Sequence, residues 1–158
     1  MPPLAIDHLD DLKDFVGREI ATTDWFVMTG DRIRQFAEAT EDRQWIHLDQ
    51  VRAKSESPYG STIAHGFLTL SLLSYLLYQA LEIRSGVSMA VNYGLNRVRF
   101  PAPVRAESRI RGKFTLQSLK DVDDARDAVF SVVVETAEEK KPCCVAEWVV
   151  RYYLSGVQ

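Results

Sequence analysis

The sequence predicts an α+β fold in which one antiparallel sheet packs against a single long apolar helix. Residues 63–81 form the most apolar segment, and a helix that is apolar almost all round has to be surrounded by other structure. After residues 85–86, four extended runs follow one another with short polar turns between them, which predicts antiparallel hairpin neighbours. We expect the sheet to wrap around the helix, although a sandwich with the helix on one face has the same pattern.

The first half of the chain alternates between short helical and extended patterns. Residues 1–16 are interpreted as an N-terminal leader segment with one amphipathic turn, and residues 17–27 favour a strand. Thr29 is expected to cap a helix that ends near Ala39, because its hydroxyl can accept from a free amide of the first turn. Three segments then precede the apolar helix: a turn from residue 40, a short helix over 49–54 and a loop over 55–61.

The second half consists of predicted strands separated by turns. In the second strand, Ile110, Phe114 and Leu116 share one face, which predicts that this face is buried. Pro101 and Pro103 interrupt the chain after the first strand. No internal repeat or linker is visible, so residues 1–158 are predicted to form one domain. The four strands are expected over 87–100, 109–119, 128–136 and 145–154.

Composition and charge disfavour several classes of protein. A net charge of −3 gives no reason to expect nucleic acid as a partner, which usually calls for a basic face. The two cysteines, Cys143 and Cys144, are neighbours and too close for an ordinary disulfide, which fits a reducing compartment. The apolar segment 67–83 is short for a membrane span and carries polar residues, and no signal sequence is visible. We therefore expect a cytoplasmic protein without a membrane span.

Asp42 and His47 are the strongest candidates for chemistry. A carboxylate beside an imidazole makes an acid–base pair that can exchange a proton with a water or a substrate. Trp45, Ile46 and Tyr59 are expected to supply the apolar walls of the pocket. Spacing alone is also compatible with a structural role, in which the Asp caps a turn and the His packs in the core.

A second candidate feature is the N-terminus of the apolar helix, at His65 and Gly66. Amides in the first turn have no partner within the helix, so they suit a developing negative charge on oxygen. A glycine there lets a ligand approach the backbone, and a plain helix start is the alternative. His65 is interpreted as structural, and for Ser74 the structural alternative is a bond back to the carbonyl of Leu70. His47, Asp49 and His65 are conceivable metal ligands, but without tight ligand spacing we expect no metal.

Taken together, these residues resemble the MaoC-type hydratases, also called (R)-specific enoyl-CoA hydratases. The family pattern Asp-x-Asn-Pro-apolar-His-x-Asp corresponds to residues 42–49, and its Ile-Ala-His-Gly run corresponds to residues 63–66. Residues 92–104 resemble the family's strand after the helix, and the resemblance extends from about Phe26 to the C-terminus. Residues 44–45, Gln-Trp, stand where the family usually has Asn-Pro, which is more similar to the NodN-like branch.

The resemblance implies a hotdog fold, an antiparallel sheet wrapped around one long helix, and a homodimer with an acyl-CoA tunnel at its interface. It implies that Asp42 and His47 hold the water that adds to C3 of a trans-2-enoyl-CoA and deliver a proton to C2. The Gly66 amide would bind the thioester oxygen, and Ser74 would support the acid–base pair. No metal or redox cofactor is expected, since CoA is part of the substrate.

The remaining substrate contacts are expected beside these groups. Ile63, Ala64 and His65 flank the helix N-terminus, and Arg97 and Arg99 are candidates for the CoA phosphates, as are the basic residues at 111 and 113. For each basic residue, a solvated strand face is the alternative.

Two other functions remain open from the sequence. An acyl-CoA thioesterase on the same fold would also use a carboxylate and the helix N-terminus, but His47 favours the hydratase. A non-catalytic acyl-CoA-binding module is the third possibility, because residues 44–45 depart from the usual pattern.

Overall fold

The fold is described from a computed structural model, which defines the structure of residues 2–156. Residues 1 and 157–158 of the predicted domain lie outside the described residues. The strands are β1 (Leu4–Ile6), β2 (Glu19–Thr22), β3 (Phe26–Met28), β4 (Leu81–Ile83), β5 (Val87–Arg99), β6 (Ser108–Val122), β7 (Ala125–Thr136) and β8 (Cys144–Leu154). The helices are a 3-10 helix (Leu9–Phe15), α1 (Gly30–Thr40), α2 (Trp45–Leu48), α3 (Gln50–Glu56), α4 (Gly66–Ser71) and α5 (Leu73–Ala80).

One antiparallel sheet, in the order β2-β6-β7-β8-β5, packs against the helix formed by α4 and α5, and β3 also pairs with β6. This is the hotdog arrangement, so the predicted fold class is confirmed. The four late strands have nearly the predicted bounds, but the prediction that each is a hairpin neighbour of the next is wrong for the first pair. β5 pairs with β8 at the far end of the sheet and not with β6.

The segment between β5 and β6 explains why these two strands are not hairpin neighbours. Pro101 and Pro103 have no N–H to donate, so the chain cannot continue there as a hydrogen-bonded hairpin. Instead, this segment pairs with the residues that lead into α4. The Ala64 N–H donates to the Val104 carbonyl at 2.7 Å, and the Ala106 N–H donates to the Thr62 carbonyl at 2.9 Å. These bonds fix the N-terminal end of the central helix.

The central helix begins at Gly66, three residues later than predicted, because the residues before it are held in an extended bridge. Leu72 joins α4 to α5, and its N–H lies 3.2 Å from the carbonyl oxygens of both Leu68 and Thr69. The helix buries one face against the sheet. The opposite side carries exposed aromatic side chains, so the expectation that the helix is enclosed all round is wrong for the single chain. The exposed aromatics are Phe67, Tyr75 and Tyr78.

The early part of the chain combines confirmed and corrected predictions. Thr29 caps α1 through a bond from the Arg32 N–H to its Oγ1 (3.2 Å), as expected. The single strand predicted over 17–27 is two short strands, β2 and β3. The chain is interrupted at Thr23, whose hydroxyl oxygen accepts from the Gly112 N–H at 2.9 Å and whose own N–H donates to the Gly112 carbonyl. The predicted amphipathic turn is the 3-10 helix, which buries Leu9 and Leu12.

The structure also bears on the predictions about a disulfide and a membrane span. Cys143 and Cys144 are buried and form no disulfide. Across residues 2–156, none of the helices combines the length and the apolar character that a membrane span requires.

Candidate active site at the N-terminus of the central helix

Asp42 lies in the turn that follows α1. Glu41 ends the helix in the left-handed conformation (φ 63°), which redirects the chain. Arg43, which follows Asp42, forms ion pairs with Glu38 near the end of α1 and with Glu41 in the turn. The Asp42 side chain is about half exposed (54%), so its carboxylate is accessible to a ligand.

His47, on α2, is held by a hydrogen bond that determines which ring nitrogen is protonated. Its Nδ1 lies 2.7 Å from the main-chain oxygen of Ile63, and because a carbonyl only accepts, Nδ1 carries the proton. Nε2 is then free to accept a proton. Burial lowers the pKa of His47 below its ordinary value of 6.5, although the hydrogen bond to Ile63 opposes this effect. A neutral imidazole at pH 7 is suited to act as a general base.

The two predicted acid–base residues meet at one place, together with His65. One ring nitrogen from each histidine and one carboxylate oxygen of Asp42 lie within 4.8 Å of one another. His65 adds to the lowering of the His47 pKa, and the Asp42 carboxylate raises it. The arrangement therefore places a buried base beside an accessible carboxylate.

The same three residues are the right types to bind a metal ion, but their geometry does not favour one. The two imidazole rings are stacked, with centroids 3.7 Å apart and planes only 22° from parallel. A metal ion binds a histidine nitrogen along the plane of its ring, at about 2.0–2.1 Å for zinc. Two nearly parallel rings cannot both direct a nitrogen at one ion without rotating.

Gly66, the first residue of α4, has an N–H with no partner inside the helix. The ring of Phe100 lies against its Cα, because a Cβ built at this position would be only 2.9 Å from a ring carbon. Any larger residue would therefore push this ring aside. The glycine is required by the close approach of Phe100.

A cavity of about 230 Å³, lined by both polar and apolar atoms, adjoins this end of the helix. Ile63, which accepts the hydrogen bond from His47, is part of its wall, so the cavity and the acid–base pair are neighbours. Of the predicted binding residues, Tyr59, Ile63 and Ala64 line it, together with Gly66, Phe100 and Val104. His65 is buried (3% exposed) and is not among its lining residues.

Ser74 lies about 13 Å farther along the helix than His65, at 1.5 Å per residue. Its hydroxyl contacts the Asn92 side-chain oxygen on β5 (3.3 Å) and does not bond back to Leu70. Both residues line a second cavity, of about 280 Å³, between the helix and the sheet. Within the single chain, the structure thus places Ser74 apart from Asp42 and His47.

The other predicted binding residues are not part of the cavity wall. Trp45 is half-buried, with the Arg52 guanidinium 4.2 Å above its ring, and the Ile46 carbonyl accepts from the Ile63 N–H. Arg97 and Arg99 are exposed on β5. The alternative candidates for the CoA phosphates, Arg111 and Lys113, both pair with Glu135.

Two aromatic residues of the site were not identified as such from the sequence. Phe36 packs its ring against His65 (centroids 4.9 Å apart), and Phe100 covers Gly66. In the sequence, Phe36 lies at helical spacing from Ile33 and Thr40, and Phe100 lies in the segment that resembles the MaoC-type family. Neither signal shows which residue each ring contacts.

Comparison with known proteins shows which family the chain belongs to. Residues 11–139 match the family described as MaoC like domain. The chain is 46% identical over 147 residues to the 3-hydroxyacyl-thioester dehydratase Z of Mycobacterium tuberculosis, with 92% of this chain and 96% of that protein covered. It is 42% identical over 143 residues to nodulation protein N of Rhizobium meliloti, with 89% and 88% covered.

The fold is also similar to solved structures. A crystal structure of the MaoC-like dehydratase from Rhodospirillum rubrum has a TM-score of 0.74 and covers 95% of this chain and 99% of that one. The sequence identity is 18%, so this likeness supports the fold alone.

The lowered pKa of His47 gives a prediction about both titration and stability. His47 should titrate below 6.5 in a histidine-selective ¹H–¹⁵N NMR titration, with its signals assigned by loss in His47→Gln. Because the unfolded chain then binds this proton more readily than the folded one, the free energy of unfolding should fall as the pH drops through about 6.5. His47→Gln should lack this part of the pH dependence. A His47 pKa at or above 6.5 would contradict the assigned environment.

Proposed function

Because the chain belongs to the family of MaoC-like domains, we propose that it is a hydro-lyase acting on thioesters of coenzyme A. Its reaction is the reversible addition of water to a trans-2-enoyl-CoA, which gives an (R)-3-hydroxyacyl-CoA. The observation that carries the proposal is the meeting of Asp42 and buried His47 beside the N-terminus of the central helix. The 46% identity to a 3-hydroxyacyl-thioester dehydratase supports the same reaction class.

The chemistry assigns a separate task to each group. The Asp42 carboxylate and His47 Nε2 hold the water, and the pair takes a proton from it as its oxygen bonds to C3. The electrons of the double bond shift toward the thioester oxygen, which accepts a hydrogen bond from the Gly66 N–H. The pair then returns a proton to C2, so that one water is added in total. The reaction needs no metal or redox cofactor.

The cavity beside Gly66 and the exposed strand β5 suggest where the rest of the substrate binds. The cavity beside Gly66 is proposed to take part of the acyl thioester. Arg97 and Arg99 lie at the end of β5, just before Phe100. Both are exposed, and their guanidinium groups are proposed to contact the CoA phosphates.

The protein is proposed to act as a homodimer joined through β5. This strand lies at one end of the sheet, and it exposes Met89, Tyr93 and Leu95. Phe67 and Tyr78 extend the apolar surface onto the central helix. A sheet edge with exposed apolar side chains is suited to pair with a second copy.

Substitution of the acid–base pair tests the proposed reaction. Wild-type protein should consume the enoyl absorbance of crotonyl-CoA or a longer analogue, and Asp42→Asn and His47→Gln should each lower kcat by at least about 10²-fold. Asp49→Asn and His8→Gln are the matched controls, since Asp49 and His8 only cap other helices. Activity unchanged by both substitutions in the pair would rule out this assignment.

The role of Gly66 is tested by adding one methyl group. In Gly66→Ala the new Cβ would displace the Phe100 ring and shift the N–H, and we expect kcat to fall about 10- to 100-fold. Gly30→Ala is the control, because Gly30 also begins a helix and its Cβ would meet only side-chain ends, Glu107 Oε1 at 3.4 Å and Gln50 Nε2 at 4.0 Å. Steady-state kinetics on the same enoyl-CoA provides the measurement. A Gly66→Ala variant as active as Gly30→Ala would contradict the role of this amide.

A further inference from the structure

The buried side chain of His65 (3% exposed) makes two kinds of contact in the site, a hydrogen bond to Asp42 and ring contacts with His47 and Phe36. It is the residue immediately before α4, so its backbone position is fixed by the start of the central helix. Its side chain makes no capping bond to that helix. The imidazole is instead directed toward the residues that precede it in the chain, at the end of α1 and in α2.

The first contact of the ring is a hydrogen bond to the Asp42 backbone. Nε2 lies 2.9 Å from the main-chain oxygen of Asp42, so Nε2 carries the proton and donates it to that carbonyl. The bond spans 23 positions of the chain and ties the turn after α1 to the helix N-terminus. The Arg43 ion pairs also steady this turn, but they are partly exposed and contribute little.

The second contact is ring stacking. The His65 ring stacks on His47 (3.7 Å between centroids) and also packs, at a tilt of 55°, against Phe36 (4.9 Å). The His47 ring is therefore held at two points, by the bond from its Nδ1 to Ile63 and by the face of His65.

From these contacts we infer that His65 is a positioning residue, which fixes Asp42 through a hydrogen bond and His47 through ring stacking. The inference rests on the proposed function, because it assigns these two residues to the chemistry. His65 Nε2 donates to the Asp42 main chain and lies 4.0 Å from the Asp42 carboxylate, so we assign it no proton transfer of its own.

The other ring nitrogen supports a role for the ring itself. His65 Nδ1 is buried and has no hydrogen-bond partner among residues 2–156. Because an unpaired buried acceptor is destabilising, this nitrogen is not the feature for which the site requires a histidine. The presence of an imidazole is explained if the flat ring is needed against His47.

Two substitutions separate the two contacts. His65→Gln keeps a donor for the Asp42 carbonyl and removes the stacked ring, whereas His65→Phe keeps a ring and removes the donor. We expect each variant to lower kcat on an enoyl-CoA by about 10- to 100-fold with KM changed less than about threefold, since small displacements of catalytic groups act mainly on the chemical step.

Double variants distinguish positioning from general damage to the fold. If His65 acts through Asp42, His65→Phe should cause less than about a threefold further loss of kcat in an Asp42→Asn background, because the group it positions is already absent. Losses that multiply in the double variant, or single variants with wild-type kcat, would overturn the inference. A wild-type protein without hydration activity would instead refute the proposed function.

An NMR measurement tests the geometry independently of activity. The chain has three histidines, so the ring protons of His47 can be assigned by substitution. Stacking on another ring shifts these signals, and we expect the shift to be lost in His65→Gln and largely retained in His65→Phe. Identical His47 ring shifts in wild type and His65→Gln would overturn the stacking part of the inference, even if the protein proves inactive.

Discussion

The fixed N-terminus of the central helix is the constraint on which the site depends. The residues before Gly66 are held by main-chain bonds from Ala64 to Val104 and from Ala106 to Thr62. Because the two prolines at 101 and 103 prevent a hairpin, the chain between β5 and β6 is available to make these bonds. The helix start therefore cannot shift along its axis without breaking two backbone hydrogen bonds. Every group assigned to the chemistry is positioned relative to this point.

The site then combines one buried base with one accessible acid. His47 loses hydration by burial and remains neutral, whereas Asp42 keeps about half of its side-chain surface in solvent. The two residues come from different short elements, so contacts from His65 and Ile63 are needed to hold them together. Phe100 packs against the Cα of Gly66, and both residues line the neighbouring cavity. A substrate in this cavity would displace water, which strengthens the interaction of an amide with a developing negative charge.

Much of this arrangement followed from local sequence patterns. Alternation in β6 identified its buried face, and the hydroxyl of Thr29 identified the start of α1. The pairing of β5 with β8 could not be predicted, because it depends on contacts between residues far apart in the chain. The partners of His65 were missed for the same reason: its bond to Asp42 and its stack on His47 exist only once three elements have packed. The order of the motif residues identified the site, and the fold supplied its geometry.

The central claim is that one acid–base pair adds the oxygen of water to C3 and a solvent proton to C2. The most direct measurement is the reaction of trans-2-enoyl-CoA in D₂O, with the product analysed by NMR and by chiral chromatography. The account predicts a 3-hydroxyacyl-CoA with one deuterium at C2 and the R configuration at C3. Release of free CoA without any 3-hydroxyacyl product would contradict it and would indicate thioester hydrolysis instead.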